Sequence, residues 1–289
     1  MMDLDSWKQG SESFTWHNHT LFVKDSGETN KPVLLCIHGF PTASIDWQPL
    51  WPALTAHFRC LTLDLLGFGL SDKPKRQAIT LMQQADICVG LLRQKAISEV
   101  HLLCHDYGDT VGQELLARAS EQTEITLRSC IFLNGGLYPG VHRPRFIQKL
   151  LMSPIGPLVA KLTSYKKFAG TLQSICTQPI DNADLMLYWD LMTRDGGRAV
   201  LPELIKYMQE RKVHRLRWGN ATNWPPCPVK LINGVDDPIS GNHLCDAYET
   251  RVANAEVTRL DKVGHYPQVE APERVLHAAM SFWQDKNVL

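Results

Sequence analysis

Four short segments hold residues whose types and spacing could do nucleophilic chemistry. The first is Cys104-His105-Asp106-Tyr107-Gly108, between the apolar run VHLLC and the helical stretch TVGQELLARA. It fits the pattern small-x-nucleophile-x-Gly, a turn so sharp that the residues flanking it must be small. Such a turn pushes one side chain into the site and aims the next backbone N–H groups at the same point. Here the central residue is Asp. The competing reading makes Asp106 a helix N-cap, a frequent use of Asp; the strand–turn–helix setting favours the chemical one. The second segment, His38-Gly39-Phe40-Pro41, follows the run VLLCI. A Gly at a strand's end lets backbone approach a ligand closely, so the N–H of Phe40 can join that of Tyr107 in holding an oxyanion. An ordinary strand-ending turn is the alternative.

The third segment is Asn233-Gly234-Val235-Asp236-Asp237-Pro238, after VKLI. A carboxylate there can orient a histidine and stabilise its charged form. Asp237 is preferred because it stands three residues after Gly234 and directly before Pro238; Asp236 is the fallback, and both also suit a plain turn before Pro. The fourth is Gly264-His265-Tyr266-Pro267. One His among 11 means little by itself. This one follows the acid and precedes the last helix, completing the chain order nucleophile, acid, histidine.

Positioning these groups requires strands that end together. Leu21–Lys24, Pro32–Ile37, Cys60–Asp64, Val100–Cys104, Ser129–Leu133, Val229–Asn233 and Ala255–Leu260 read as strands. Leu81–Gln94, Tyr107–Ser120 and Pro272–Gln284 read as helices. Such alternation predicts an α/β fold with a mostly parallel sheet covered on both faces. From residue 138 to 223 strand-like runs vanish, and Pro and Gly punctuate RFIQKLLM, ADLMLYWDLMTR and LPELIKYMQERK. We expect a core of residues 1–137 and 224–289, with 138–223 inserted as a helical cap.

Composition narrows the function classes. Lys+Arg and Asp+Glu each total 30 in 289 residues. The zero net charge leaves no global electrostatic signature for nucleic acid or an anionic membrane, although a sum is blind to local clusters. The N-terminus has acids and no apolar core of a secretory signal, and no run approaches the ~20 apolar residues of a membrane span. The eight cysteines form no CxxC pair and sit in apolar runs, which suits buried free thiols in a reducing compartment. A cytoplasmic location is expected, with no metal and no organic cofactor.

HGFPT (38–42), DLLGFGLSDKP (64–74), CHDYGD (104–109), GVDDP (234–238) and GHYPQVEAPE (264–273) together resemble the α/β-hydrolase superfamily, in its epoxide hydrolase and haloalkane dehalogenase branch. CHDYGDTVGQELLAR, NGGLYPGVHRP and HYPQVE are similar to segments of the mesoderm-specific transcript family. The resemblance implies an eight-stranded α/β-hydrolase fold. It makes Asp106 the nucleophile, His265 the base, Asp237 the acid, and Phe40 and Tyr107 the oxyanion donors. Epoxide hydrolases add two cap tyrosines that hydrogen-bond the epoxide oxygen. Tyr207 matches the second; Tyr165, slightly ahead of Tyr188, stands for the first. Together with His105 and Trp47 these are the residues expected to touch substrate.

Two departures bear on chemistry. Many dehalogenases have Trp after the nucleophile and Asn after His-Gly, both halide donors; here stand Tyr107 and Phe40. Asp109 occupies a position where epoxide hydrolases often have Gly, close enough to disfavour ionisation of Asp106. The expected activity is epoxide hydrolysis on an apolar small molecule. A dehalogenase, an esterase or lactonase, and a non-catalytic binding protein are the rivals, and homodimerisation is left open.

Overall fold

Val33–Ile37 (β3), Glu99–His105 (β5) and Thr126–Leu133 (β6) are buried almost end to end, as strands covered on both faces must be. The computed structural model describes residues 1–75, 77–121 and 124–289. With Ser11–Trp16 (β1), His19–Asp25 (β2), Arg59–Leu63 (β4), Val229–Gly234 (β7) and Glu256–Leu260 (β8), these strands form one eight-stranded sheet. Its order is β1-β2-β4-β3-β5-β6-β7-β8. The pairs β1/β2 and β2/β4 are antiparallel and the remaining five parallel. The expected mostly parallel α/β-hydrolase sheet is therefore present.

The one strand absent from the sequence reading is β1. Its segment SESFTW buries only Phe14, so it lacks the apolar run that marks the central strands. It is held by its hairpin with β2, in which Trp16 pairs with His19.

Between β6 and β7 the described chain is helical, with no strand from 138 to 223. Helices Phe146–Leu151, Gly156–Leu162, Tyr165–Gln173, Asn182–Thr193, Leu201–Leu204, Tyr207–Val213 and Arg215–Asn223 make up this insertion. LPELIKYMQERK, read as one helix, is broken after Leu204, and the second piece begins at Tyr207. Among the described residues no helix is long and apolar enough to cross a membrane. All eight cysteines are free, and six are buried.

The parallel strands converge at their C-terminal ends, where open α/β sheets place ligands. β3 leads into His38, β5 into Asp106, β6 into Asn134, β7 into Asp237, and β8 into the loop holding His265. Close approach of β3 to the helix Tyr107–Ser120 depends on Gly108. A Cβ there would lie 2.7 Å from the carbonyl oxygen of His38 and closer still to that of Ile37, and backbone cannot swing aside as a side chain can.

Gly108→Ala should consequently destabilise the protein by about 1–3 kcal/mol, the usual cost of forcing atoms into a packed interior. Urea denaturation would read this as a lower midpoint at unchanged slope; an unaltered midpoint would show that the two elements separate freely.

Candidate active site

Asp106 ends β5 and begins the helix Tyr107–Ser120 with φ 46° and ψ −102°, a backbone state that L-residues avoid. Its side chain does not cap the helix. The N-cap reading, which requires a bond from this carboxylate to the first helical N–H groups, is thereby set aside. One carboxylate oxygen, Oδ2, instead accepts the backbone N–H of Phe40 at 3.1 Å. The other, Oδ1, faces His265 Nε2 at 4.0 Å. That separation is too long for a direct hydrogen bond and leaves room for a bridging water.

His265 donates from Nδ1 to Asp237 Oδ2 at 2.8 Å. Asp237 is buried and also accepts from Asn134 Nδ2 (3.0 Å), the N–H of Ile239 (2.7 Å), and both the N–H and hydroxyl of Ser240 (3.1 and 3.0 Å). Asp236 is exposed, so of the two adjacent acids only Asp237 reaches the histidine. Burial opposes a charged imidazole, yet the carboxylates of Asp237 and Asp106 outweigh it and hold the pKa of His265 up at about 9. Burial likewise opposes the Asp237 carboxylate, and the facing His265 with the donated hydrogen bonds brings its pKa below the usual value.

A cleft with a cavity volume of about 120 Å³ ends on Asp106 and His265. Its walls include Phe40, Leu151, Phe168, Leu172, Met192, Leu201 and Ile239, an apolar lining. Among the described residues no cluster of three or more His, Cys, Asp or Glu is placed to hold a metal.

A family model for the alpha/beta hydrolase family matches residues 34–278. The chain belongs to the alpha/beta hydrolase family. It is 36% identical to the mesoderm-specific transcript protein of Mus musculus over 96% of this chain and 87% of that one. It is 33% identical to the putative hydrolase LipZ of Mycobacterium tuberculosis, covering 96% and 97% of the two chains. A loop variant of haloalkane dehalogenase DbeA from Bradyrhizobium elkanii superposes with a TM-score of 0.82 at 18% identity, over 96% of this chain and 97% of that one. That level of identity speaks for shared fold only.

Within this hydrolase the remaining expected contacts divide. Tyr207 is fully buried beside the Asp106 turn, its ring 5.0 Å from that of Tyr107 and 6.2 Å from that of Phe40, and like Tyr188 it does not line the cleft. Burial first, then the charge of Asp106, pushes its phenol up, and among the described residues the hydroxyl has no hydrogen-bond partner. Tyr165 does not reach the cleft. It opens its helix and extends outward, where its hydroxyl donates to Asn182 Oδ1 at 2.5 Å and its ring meets Trp189. Tyr188 is buried beside Asp46 and Tyr266 and does not line the cleft. The carboxyl of Asp46 is itself raised to about 8 by burial, against the pull of its bond from Thr42.

His105 is also not a cleft residue. Preceding the nucleophile at a strand end, it points behind the turn, and its Nε2 donates to the carbonyl of His265 at 2.8 Å. Burial and then the neighbouring His265 charge lower it to about 4, so it is a neutral prop. Trp47, in the turn Ser44–Trp47, is wholly inside the core. Asp109 is fully buried, with Oδ1 3.4 Å from the N–H of Leu133. Burial, then the charge of Asp106, raises it well above the carboxylate range. The same surroundings disfavour a second negative charge behind Asp106.

Three residues with a part in this site escaped the sequence reading. Asn134, at φ 45°, ties Asp237 to the end of β6, and Ser240 closes the same network. The run Asn134-Gly135-Gly136 was visible as a strand end, without a partner to assign it. Arg211, from the helix Tyr207–Val213, is almost completely buried. Its Nε donates to Thr110 Oγ1 at 2.7 Å and its Nη2 to the carbonyl of Asp106 at 3.1 Å, while the guanidinium stacks 4.5 Å from the Tyr207 ring. It pins Tyr207 to the nucleophile turn; in sequence it is one more arginine on a polar helix.

His265 binds its proton more tightly when folded, so it contributes stability fully below about pH 6.5, and this contribution is lost as pH rises through about 9. Denaturation midpoints of the wild type should fall across that window more steeply than those of His265→Gln. Asp46, at about 8, and Glu210, at about 7, titrate there in both proteins, so the difference between the two curves is the readout. Parallel curves would mean that His265 is neutral at rest.

Proposed function

We propose that this hydrolase opens epoxides by covalent catalysis through Asp106. The observation that carries the reading is the division of labour between the two Asp106 oxygens: Oδ2 on the Phe40 N–H, Oδ1 free toward the cleft and His265. Attack by Oδ1 on an epoxide carbon breaks the C–O bond and leaves a hydroxyalkyl ester whose carbonyl oxygen, Oδ2, already sits with its donor. A carboxylate suits attack at sp³ carbon because the ester it forms can itself be hydrolysed. Residues 138–223 act as the cap that brings Tyr207 to the turn.

Proton accounting fits the resting charges. His265 carries a proton at rest, and the opened epoxide oxygen needs one. Tyr207 donates to that oxygen and recovers its proton at the expense of the imidazolium. Esterification also removes one of the two carboxylate charges that hold His265 protonated, so the imidazole is released as a base at the moment it is needed. Neutral His265, oriented by Asp237, then takes a proton from water. The hydroxide attacks the ester carbonyl, and the oxyanion is held by the N–H groups of Phe40 and Tyr107. Collapse expels the diol oxygen, which takes the proton left on the Asp106 carboxyl. Asp106 returns as carboxylate and His265 as imidazolium, and the sum is epoxide plus water to diol.

Dehalogenation is the second reading, since it uses the same nucleophile. A departing halide calls for N–H donors, and the side chains of Phe40 and Tyr107 supply none. An epoxide oxygen calls for an acid, and the unpartnered Tyr207 hydroxyl supplies one; a buried hydroxyl left unpaired costs about 1–3 kcal/mol, which a ligand oxygen would recover.

His265→Gln should consume one equivalent of epoxide and stop, with the adduct mapping by mass spectrometry to the peptide containing Asp106. A wild-type single turnover in ¹⁸O-water should label the Asp106 carboxylate; label appearing only in the diol would mean direct attack by water. Asp106→Ala should abolish turnover while retaining the fold.

Tyr207→Phe should lower kcat on an epoxide by about 10²-fold or more, the range for loss of a positioned acid. Halide release from a bromoalkane, which needs no proton, should be unaffected if it occurs at all. Equal losses on both substrates would assign Tyr207 to packing.

A further inference from the structure

The zero net charge of the chain hides a segregation. From residue 138 to 180 there is no Asp or Glu, and the charged residues are Arg143, Arg145, Lys149, Lys161, Lys166 and Lys167. Among the described residues none of the six has a carboxylate within ion-pair distance, although cations elsewhere are paired with acids, as in Arg59–Asp25, Arg118–Glu114 and Arg217–Glu114. The same stretch exposes large apolar side chains. Ile155, Leu158 and Leu162 are 54%, 55% and 64% exposed at spacings of three and four, one face of the helix Gly156–Leu162 and its N-cap. Phe146, 74% exposed, lies on the helix Phe146–Leu151 that packs beside it.

We propose that this face docks on an anionic lipid surface, with the apolar stripe seated among the headgroups and the unpaired lysines and arginines against the lipid charge. An interfacial segment has this make-up: aliphatic and aromatic side chains on one side, Lys and Arg flanking them. An acidic soluble protein would account for the cations but leaves four large apolar side chains without a reason to be in water. A second copy of this chain, meeting the face symmetrically, would bring six cations against six.

The cleft that ends on Asp106 and His265 is built from the same stretch of chain. Residues 145–175 supply most of its lining, and Arg145, Gln148 and Lys167 stand at its partly exposed side. Docking through this stretch brings the segment that walls the cleft to the bilayer, where an apolar substrate is concentrated. This consequence rests on the hydrolytic reading of the cleft; the docking does not.

Sedimentation of the full chain with phosphatidylcholine vesicles, with and without phosphatidylglycerol, tests it. The wild type should bind only the anionic vesicles and be released as salt rises. Lys161→Gln and Lys166→Gln should each weaken binding by about fivefold, the worth of one basic residue near an anionic surface. Leu158→Ser combined with Leu162→Ser should abolish it. None of these residues lines the cleft, so turnover of styrene oxide, a water-soluble epoxide, should stay at the wild-type level and show that the variants are folded. If the chain turns over no epoxide, circular dichroism serves instead, and the vesicle result still stands. Failure of the wild type to bind anionic vesicles, equal binding to neutral ones, or wild-type binding by the variants would overturn the proposal. So would a dimer in gel filtration that the two serine substitutions dissociate, which would assign the stripe to a second copy.

Discussion

Two buried carboxylates facing one buried imidazole set the terms for everything around them. Removing a charge from water is costly unless it is paired and hydrogen-bonded. Asp237 meets that condition by accepting from Asn134, Ile239, Ser240 and His265, and Asp106 by accepting from Phe40. The imidazole responds by holding its proton more tightly, its pKa up at about 9, while that of the Asp237 carboxyl is drawn below its usual value. Both acids sit at strand ends because a sheet edge offers rows of backbone N–H groups and sharp turns that can be aimed at one point. The unusual backbone at Asp106 is part of the same solution, since it turns the side chain away from its own helix and toward the N–H of a neighbouring strand's loop.

The rest of the charge pattern at this end of the sheet follows from that arrangement. Behind Asp106, burial and the charge of Asp106 both disfavour a further ionised carboxylate, and the pKa of Asp109 is raised accordingly. Burial first, then the charge of His265, lowers the pKa of His105 to about 4, so its imidazole is neutral. Arg211 brings a cation to the carbonyl of Asp106 from the other side, and it comes from the helical insertion. The insertion is tied to the histidine loop as well: the N–H of His265 donates to the carbonyl of Ile175 at 2.9 Å, and Glu270 accepts from the N–H groups of Gly264 and Thr177. Asp106 and His265 are thus both fastened to the segment that forms the cleft walls, so packing of the insertion and geometry of the site cannot vary independently.

How much of this was legible in the sequence depended on whether a residue's role was local. Central strands announce themselves as apolar runs, and the turn at Asp106 is specified by its immediate neighbours, Cys104 and Gly108. The order Asp106, Asp237, His265 is readable in one dimension because each follows a strand end. β1 was illegible since its stability comes from pairing with β2 and from a single buried Phe14. The choice of Asp237 over Asp236 rested on spacing alone until the bond to His265 separated them. Tyr165, Tyr188, Trp47 and His105 were misplaced for one reason: an aromatic residue carries no sequence mark of the direction in which its ring points. Arg211 was missed for the converse reason, because a buried cation is recognised only by the carbonyl and hydroxyl it meets across the fold.

A sum of charges is the coarsest of these one-dimensional measures, and here it concealed the most. Paired charges such as Arg217 with Glu114 and Glu121 cancel where they stand and create little field beyond a few ångströms. Unpaired charges gathered on one segment do not cancel, whatever the total. The acids that balance residues 143–167 lie elsewhere, many already engaged with their own partners. A neutral protein can therefore carry one strongly positive segment, and that segment also exposes Phe146, Ile155, Leu158 and Leu162. Evolution of a soluble surface tends to remove such side chains, because each favours association. Their retention on the segment that also supplies most of the cleft lining joins the charge, the exposed aliphatic stripe and the cleft wall in one stretch of chain.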